Sequence, residues 1–228
     1  EAAMPDLVDD PPVDFGKRGT LRSNLANATD RLSEFDNAHQ QNGEIIAVYE
    51  AAGETGNYVY ANAWRRLGLL ERRAANFDLA AEMMANAEAA YNRSNPPELS
   101  LAGFISDYGL VLSHQEDKTA AIEKYEASIR LFRKLQGDEC TRCALTQVNL
   151  AWALREQERF DEALTTIQEA DQTFRRYLGD DYGSRQGSVL FEMAAIHSQM
   201  GDYEEDDSLH RQASALYLND LGRRSSLY

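Results

Sequence analysis

Lysine is scarce in this chain, present only at Lys17, Lys118, Lys124 and Lys134. With a formal net charge of −15 over 228 residues, the chain lacks the basic surface that a polyanion needs, which disfavours nucleic acid and anionic lipid as main partners. No apolar run reaches the roughly 18 residues of a membrane-crossing helix. Proline occurs five times and glycine fourteen, while alanine recurs throughout; that mix suits helices better than strands. Catalytic signatures are missing too: there is no GxSxG, no P-loop, no HExxH and no GxGxxG after a strand, so no catalytic residue and no cofactor is expected. The four histidines, His39, His114, His197 and His210, have no zinc-finger spacing to the two cysteines. Asp206, Asp207 and His210 share a helix face, but oxygen-ligand sites gather more groups than this. A solvated acidic face is the expectation there, and no metal.

What is present is a period. "LQGDE" at 135–139 returns as "YLGDD" at 177–181, with Gly137 and Gly179 at equivalent places. Around these links the apolar residues fall at helical spacing. Leu150, Ala151 and Leu154 share a face, then Phe160, Ala163, Ile167 and Ala170 share another. Met193, Ala194 and Ile196 precede Tyr203 and Ala213; Tyr108, Gly109 and Leu112 precede Ala121, Tyr125 and Ser128. Trp64, Leu67 and Gly68 precede Phe77, Ala80, Met84 and Ala87. Four helix–turn–helix units result, near 61–94, 102–135, 144–177 and 187–220, within a solenoid predicted over 58–220. The small residues Gly68, Gly109, Ala151, Ala194, Ala80, Ala121 and Ala163 let paired helices approach, with Trp64, Phe77 or Tyr203 filling the space beside them. No unit buries its face alone, so the units stack. Asp206 stands where a small residue is wanted, and an unpaired carboxylate there would be costly.

This pattern resembles the tetratricopeptide repeat family, in its 42-residue kinesin-light-chain type, over about 61–220. The resemblance implies an all-α, right-handed α-solenoid of about four units. Ahead of them, 19–57 reads as a degenerate helical pair, one helix over 20–36 with Leu21, Leu25, Ala28, Leu32 and Phe35 in a stripe, and a short one over 44–52. Residues 1–18 read as an extended arm and 221–228 as a tail.

The family's first helices line a concave groove. Carried over residue by residue, the groove positions include Asn62, Arg65, Leu69, Arg72, Arg73, Leu110, His114, Val148, Asn149, Trp152, Arg155 and Phe191. The resemblance implies that Asn149 holds the backbone of a bound peptide. Trp152, Phe191, Leu69 and Leu110 would make an apolar floor, and Arg65, Arg72 and Arg155 would meet acidic groups. Trp152 equally suits packing between units, and arginine stems often only cover apolar surface. The carboxylate clamp of chaperone-binding relatives is unmatched, because Leu69 replaces its asparagine.

The expected function is therefore a non-enzymatic protein–protein interaction scaffold that grips a partner peptide or helix of acidic character. The alternative is a structural subunit of a larger assembly, bound through its last unit, its arm or its convex face. The absence of an initiator methionine from "EAAMP" suits a removed targeting peptide, which favours an exported, periplasmic chain over a cytoplasmic one. In such a compartment Cys140 and Cys143 would form a local disulfide; elsewhere they would stay free thiols, with a metal or redox-sensing role as the third reading.

Overall fold

The computed structural model describes residues 17–115, 118–137, 140–179 and 183–225, with side chains described from 34 to 177, in 179 and in most of 186–218. Among the described residues the chain is entirely helical: α1 (Lys17–Ala51), α2 (Tyr58–Arg73), α3 (Phe77–Arg93), α4 (Glu98–Leu112), α5 (Lys118–Gln136), α6 (Thr141–Glu156), α7 (Phe160–Leu178), α8 (Gly183–Met200) and α9 (Tyr203–Ser225). The helices α2/α3, α4/α5, α6/α7 and α8/α9 form hairpins, and each hairpin packs on the next. These pairs begin three or four residues before the units read from the period.

The expected N-terminal pair is a single helix instead. Residues 37–43 were read as the break, yet they contain no proline, and three side chains bridge the stretch one turn apart. Gln40 donates to Glu44 at 2.8 Å, Gln41 to Asn37 at 3.0 Å, and Asn42 to the Ala38 carbonyl at 2.6 Å. Gly43 alone costs a helix only about 1 kcal/mol, which these bonds offset. Lys17 and Arg18, assigned to the arm, already belong to this helix, and 221–225 belong to α9. Residues 1–16 and 226–228 lie outside the described residues, as do the side chains of Leu21, Leu25, Ala28 and Leu32.

Three of the four hairpin turns share one device. Ala75 and Glu158 adopt left-handed backbone, at φ 62° and 58°, and Gly201 does so at φ 82°. In each case the following N–H returns to a carbonyl five residues back: Asn76 to Glu71, Arg159 to Leu154 and Asp202 to His197, at 2.9 to 3.0 Å. This satisfies helix-end carbonyls that would otherwise be orphaned.

Small residues set the spacing within hairpins. Ala80, Ala121, Ala151, Ala163 and Ala194 are all fully buried. A Cβ on Gly109 would stand 2.9 Å from the Tyr125 ring, and one on Gly68 would stand 3.1 Å from the Ala80 carbonyl. The core runs on along the stack through Met84, Phe104, Tyr125, Ile167, Phe174 and Ile196. Tyr203 departs from the expectation: it is 70% exposed, because no described helix lies beyond α9 to cover it. Asp206 Oδ1 stands 2.7 Å from His210 Nδ1 but without hydrogen-bond geometry; that nitrogen meets the Asp206 backbone carbonyl at 3.1 Å instead.

Besides the hairpin contacts, α2 touches α4 and α6 touches α8, whereas α3, α5, α7 and α9 make no comparable contacts with one another among the described residues. The first helices therefore crowd the inside of the curve, and their inward faces form the groove.

Candidate partner-binding groove

Each groove residue but His114 is placed by its position on α2, α4, α6 or α8; His114 lies in the turn that follows α4. Arg65, on α2, reaches across to α4 and donates from Nε to Asp107 Oδ2 at 2.7 Å. Its guanidinium lies over Gly103, where a Cβ would stand 3.3 Å from Nη2. Burial raises the Asp107 carboxyl above its ordinary value, with the Arg65 charge pulling the other way. Arg155 makes a similar link two units along. From α6 it donates to Glu192 Oε1 on α8 at 2.8 Å, and a second nitrogen meets Glu156 at 2.9 Å. Burial likewise raises the Glu192 carboxyl against the opposing effect of Arg155. Two of the three arginines expected to meet an acidic partner are thus joined to the protein's own carboxylates.

Asn62 is also engaged, accepting from the Tyr91 hydroxyl at 2.8 Å. Leu69 and Leu110, expected in the apolar floor, and Val148 are each partly buried, packed against a core cluster. Trp152 follows the packing alternative. It is partly buried against the core, with Lys118 Nζ 4.8 Å above its ring and His114 6.3 Å away. His114 stacks on Phe77 at 4.7 Å, and burial together with the charges of Arg72 and Lys118 holds its imidazole below the ordinary value. These residues gather at the hairpin-turn edge, beside an open recess that Asn76, Phe77, His114 and Lys118 line. Arg72 lies near them; its Nε is buried and has no hydrogen-bond partner among the described residues. Arg73 is exposed. Phe191, 40% exposed, meets the His210 ring edge-on at 5.4 Å.

The structure brings Arg65 and Asn149 together on one cavity of about 450 Å³ on the inner face. Its floor is polar: Ser106 and Thr146 share a hydrogen bond at 3.1 Å, joining α4 to α6. Beside them the wall is apolar, made of Leu99, Phe132 and Leu145, the last 41% exposed. Asn149 lines the cavity with an amide that bonds to nothing among the described residues. Arg142, seven residues earlier and so on nearly the same face, is exposed. It lies 5.9 Å from the Phe132 ring centre and has no carboxylate partner among the described residues.

Arg142 was missed because the period starts the third unit near 144, whereas α6 begins at Thr141. The signal was available: Cys140 caps the helix through its Sγ, which accepts the Cys143 N–H at 2.9 Å, so residues 141–143 form its first turn. Cys140 and Cys143 are joined in a disulfide, with Cα atoms 5.1 Å apart. No group of three or more His, Cys, Asp or Glu able to hold a metal occurs among the described residues. No described helix is long and apolar enough to cross a membrane.

Residues 101–170 match the tetratricopeptide repeat family. No curated protein matches the chain. Among solved structures, a Podosopora anserina putative kinesin light chain with nearly identical TPR-like repeats superposes with a TM-score of 0.70 at 15% identity, covering 92% of this chain and 99% of that one. A Rap protein complexed with Competence and Sporulation Factor gives 0.62 at 18% identity over 71% of this chain; the match spans only 44% of that protein. YrrB, a TPR protein with an unusual peptide-binding site, gives 0.54 at 15% identity, covering 85% of this chain and 83% of that one. At these identities the likeness is one of fold.

Proposed function

We propose that this chain, a tetratricopeptide-repeat solenoid, is a protein–protein interaction scaffold that holds an extended segment of another protein against α4 and α6. The observation that carries this reading is the pair of uncommitted polar groups on one cavity wall. Asn149 offers a donor and an acceptor, which matches a peptide backbone, and Arg142 offers a planar cation with no carboxylate partner among the described residues. Leu99 and Leu145 give an apolar side chain somewhere to rest. The acidic character expected of the partner now rests on Arg142 and Arg72, since Arg65 and Arg155 are neutralised internally. A Rap protein that binds a signalling factor and a YrrB that binds peptide support the reading by likeness of fold.

Selection from a randomised peptide display library tests it. Wild-type protein is expected to enrich peptides bearing an Asp or Glu beside an apolar residue. Arg142→Glu is expected to switch the enriched charge to Lys or Arg, and Asn149→Ala to weaken binding at least tenfold, about 1.4 kcal/mol. The same peptides bound equally by all three proteins would refute the groove.

The alternative, a subunit joined through the last hairpin, draws on the exposed Met200, Tyr203 and Leu218 of α8 and α9. It predicts that Tyr203→Glu with Leu218→Glu abolishes assembly while peptide selection is unchanged.

A further inference from the structure

The Cys140–Cys143 disulfide lies against the groove wall. Cys140 is 5% exposed and Cys143 1%, in an apolar cluster with Ala102 and Phe132, flanked by Leu99 and Leu131. Leu99 and Phe132 are also cavity wall. Arg142 sits between the two cysteines in sequence, in the first turn of the helix that Cys140 caps, with its guanidinium toward the Phe132 ring. The same side chains therefore rest on the disulfide and shape the end of the groove that carries the Arg142 guanidinium.

We propose that this disulfide is a redox lock on the Arg142 end of the groove. Oxidised, it ties the start of α6 to its cap and holds Arg142, Phe132 and Leu99 in the arrangement that receives a partner; reduced, it lets that arrangement go. The reductant is a small dithiol. One of its thiolates attacks Cys140 Sγ, the less buried sulfur, and the electron pair of the broken S–S bond leaves on Cys143 Sγ. That thiolate forms in the first turn of α6, where the helix amides favour negative charge. The second thiolate of the dithiol then attacks the mixed disulfide, expels Cys140 as thiolate and departs as a cyclic disulfide. Two electrons, and after protonation two protons, have passed to the protein. Two thiols stand farther apart than two bonded sulfurs, and a close-packed cluster has no spare room. Phe132, Leu99 or the first turn of α6 must shift, and each of these belongs to the groove.

The proposal rests on the groove reading, so the test has one arm that needs no partner. The full chain, oxidised in air or reduced with dithiothreitol, is treated with phenylglyoxal, and modification of Arg142 is followed by mass spectrometry. Amide exchange over 98–104 and 141–147 is followed in parallel. Reduction is expected to quicken both several-fold, reversibly, while 58–93 and 203–212 stay unchanged. Cys140→Ser with Cys143→Ser should behave as the reduced protein; should that variant fail to fold, the reduced wild type carries the test alone. Equal labelling and exchange in the two redox states would overturn the lock, as would two free thiols in the air-oxidised protein. The second arm measures affinity for a peptide selected on oxidised wild type, expected to fall several-fold on reduction. Loss of binding in Asn149→Ala with no effect of reduction on labelling or affinity sinks the lock and spares the groove. Redox-dependent labelling with binding indifferent to Asn149→Ala sinks the groove and leaves the lock as a local switch.

Discussion

Arg155→Met removes the guanidinium that holds Glu192 and Glu156 while keeping most of the side chain's length. Glu192 is left 13% exposed at its side chain, already raised by burial from its ordinary value of 4.5 with Arg155 acting against that rise. Two bounds fix the loss. Deleting one partner of a buried ion pair typically costs about 3–5 kcal/mol. A stranded carboxyl can instead take up a proton, and from 4.5 to pH 7 that costs about 2.5 pH units at about 1.4 kcal/mol each, so the ceiling is about 3.5 kcal/mol. Because Glu192 keeps some solvent, the expected loss at pH 7 is about 2–3 kcal/mol. The deficit also has a pH signature. Without Arg155 the folded-state pKa of Glu192 rises further above the unfolded value, so the folded variant binds a proton that the unfolded chain does not. Its stability relative to wild type is lost as pH rises above 4.5 and recovered as pH falls toward it. Adding Glu192→Gln should restore most of the loss at neutral pH. Urea unfolding followed by circular dichroism measures all three proteins. An Arg155→Met variant with the wild-type urea midpoint at pH 7 would refute the reasoning, and Arg155 would return to the cations available for a partner.

Three further outcomes follow from close approach, from open space and from burial. Gly109→Ala drives a methyl to 2.9 Å from the buried Tyr125 ring, so an overpacking cost of about 1–3 kcal/mol opposes a helix-propensity gain of about 1 kcal/mol, and the urea midpoint should fall. Gly43→Ala meets nothing within 4 Å and should raise the midpoint by the propensity gain alone. Asp107, raised by burial despite Arg65, binds its proton more tightly in the folded chain than in the unfolded one. Wild-type stability should therefore decline, relative to Asp107→Asn, as pH rises from 3.8 through the raised value, a difference that urea midpoints across the acid range will read.

The period was legible because stacking leaves it no freedom: Ala80, Ala121, Ala151 and Ala163 sit where a larger side chain would force the helices apart. The groove was legible only by face. The spacing of Arg65 and Arg72 says that they point the same way, but not that Asp107 waits opposite Arg65, since that contact joins residues 42 apart. Ala75 and Glu158 carry no sign of left-handed backbone, which the rest of the hairpin imposes on them; Gly201 does. The expected break in α1 relied on Gly43 and a polar stretch, and overlooked side-chain bonds that run along one helix. Arg142 was lost to a unit boundary drawn three residues late.

The cross-unit bonds, Tyr58 to Ser100, Arg65 to Asp107, Ser106 to Thr146 and Arg155 to Glu192, join residues 37 to 42 apart. Each reaches one unit along the stack. Among the described residues no helix pair closes the stack end to end, so its cooperativity is that of a chain of neighbours. Loop-closure entropy is met in small, similar steps, and folding can start in any hairpin and spread both ways. Unfolding runs in the opposite sense: α8 and α9, which among the described helices pack against the rest of the stack on one side only, should open before α4 to α7, and the groove at the centre outlasts their loss.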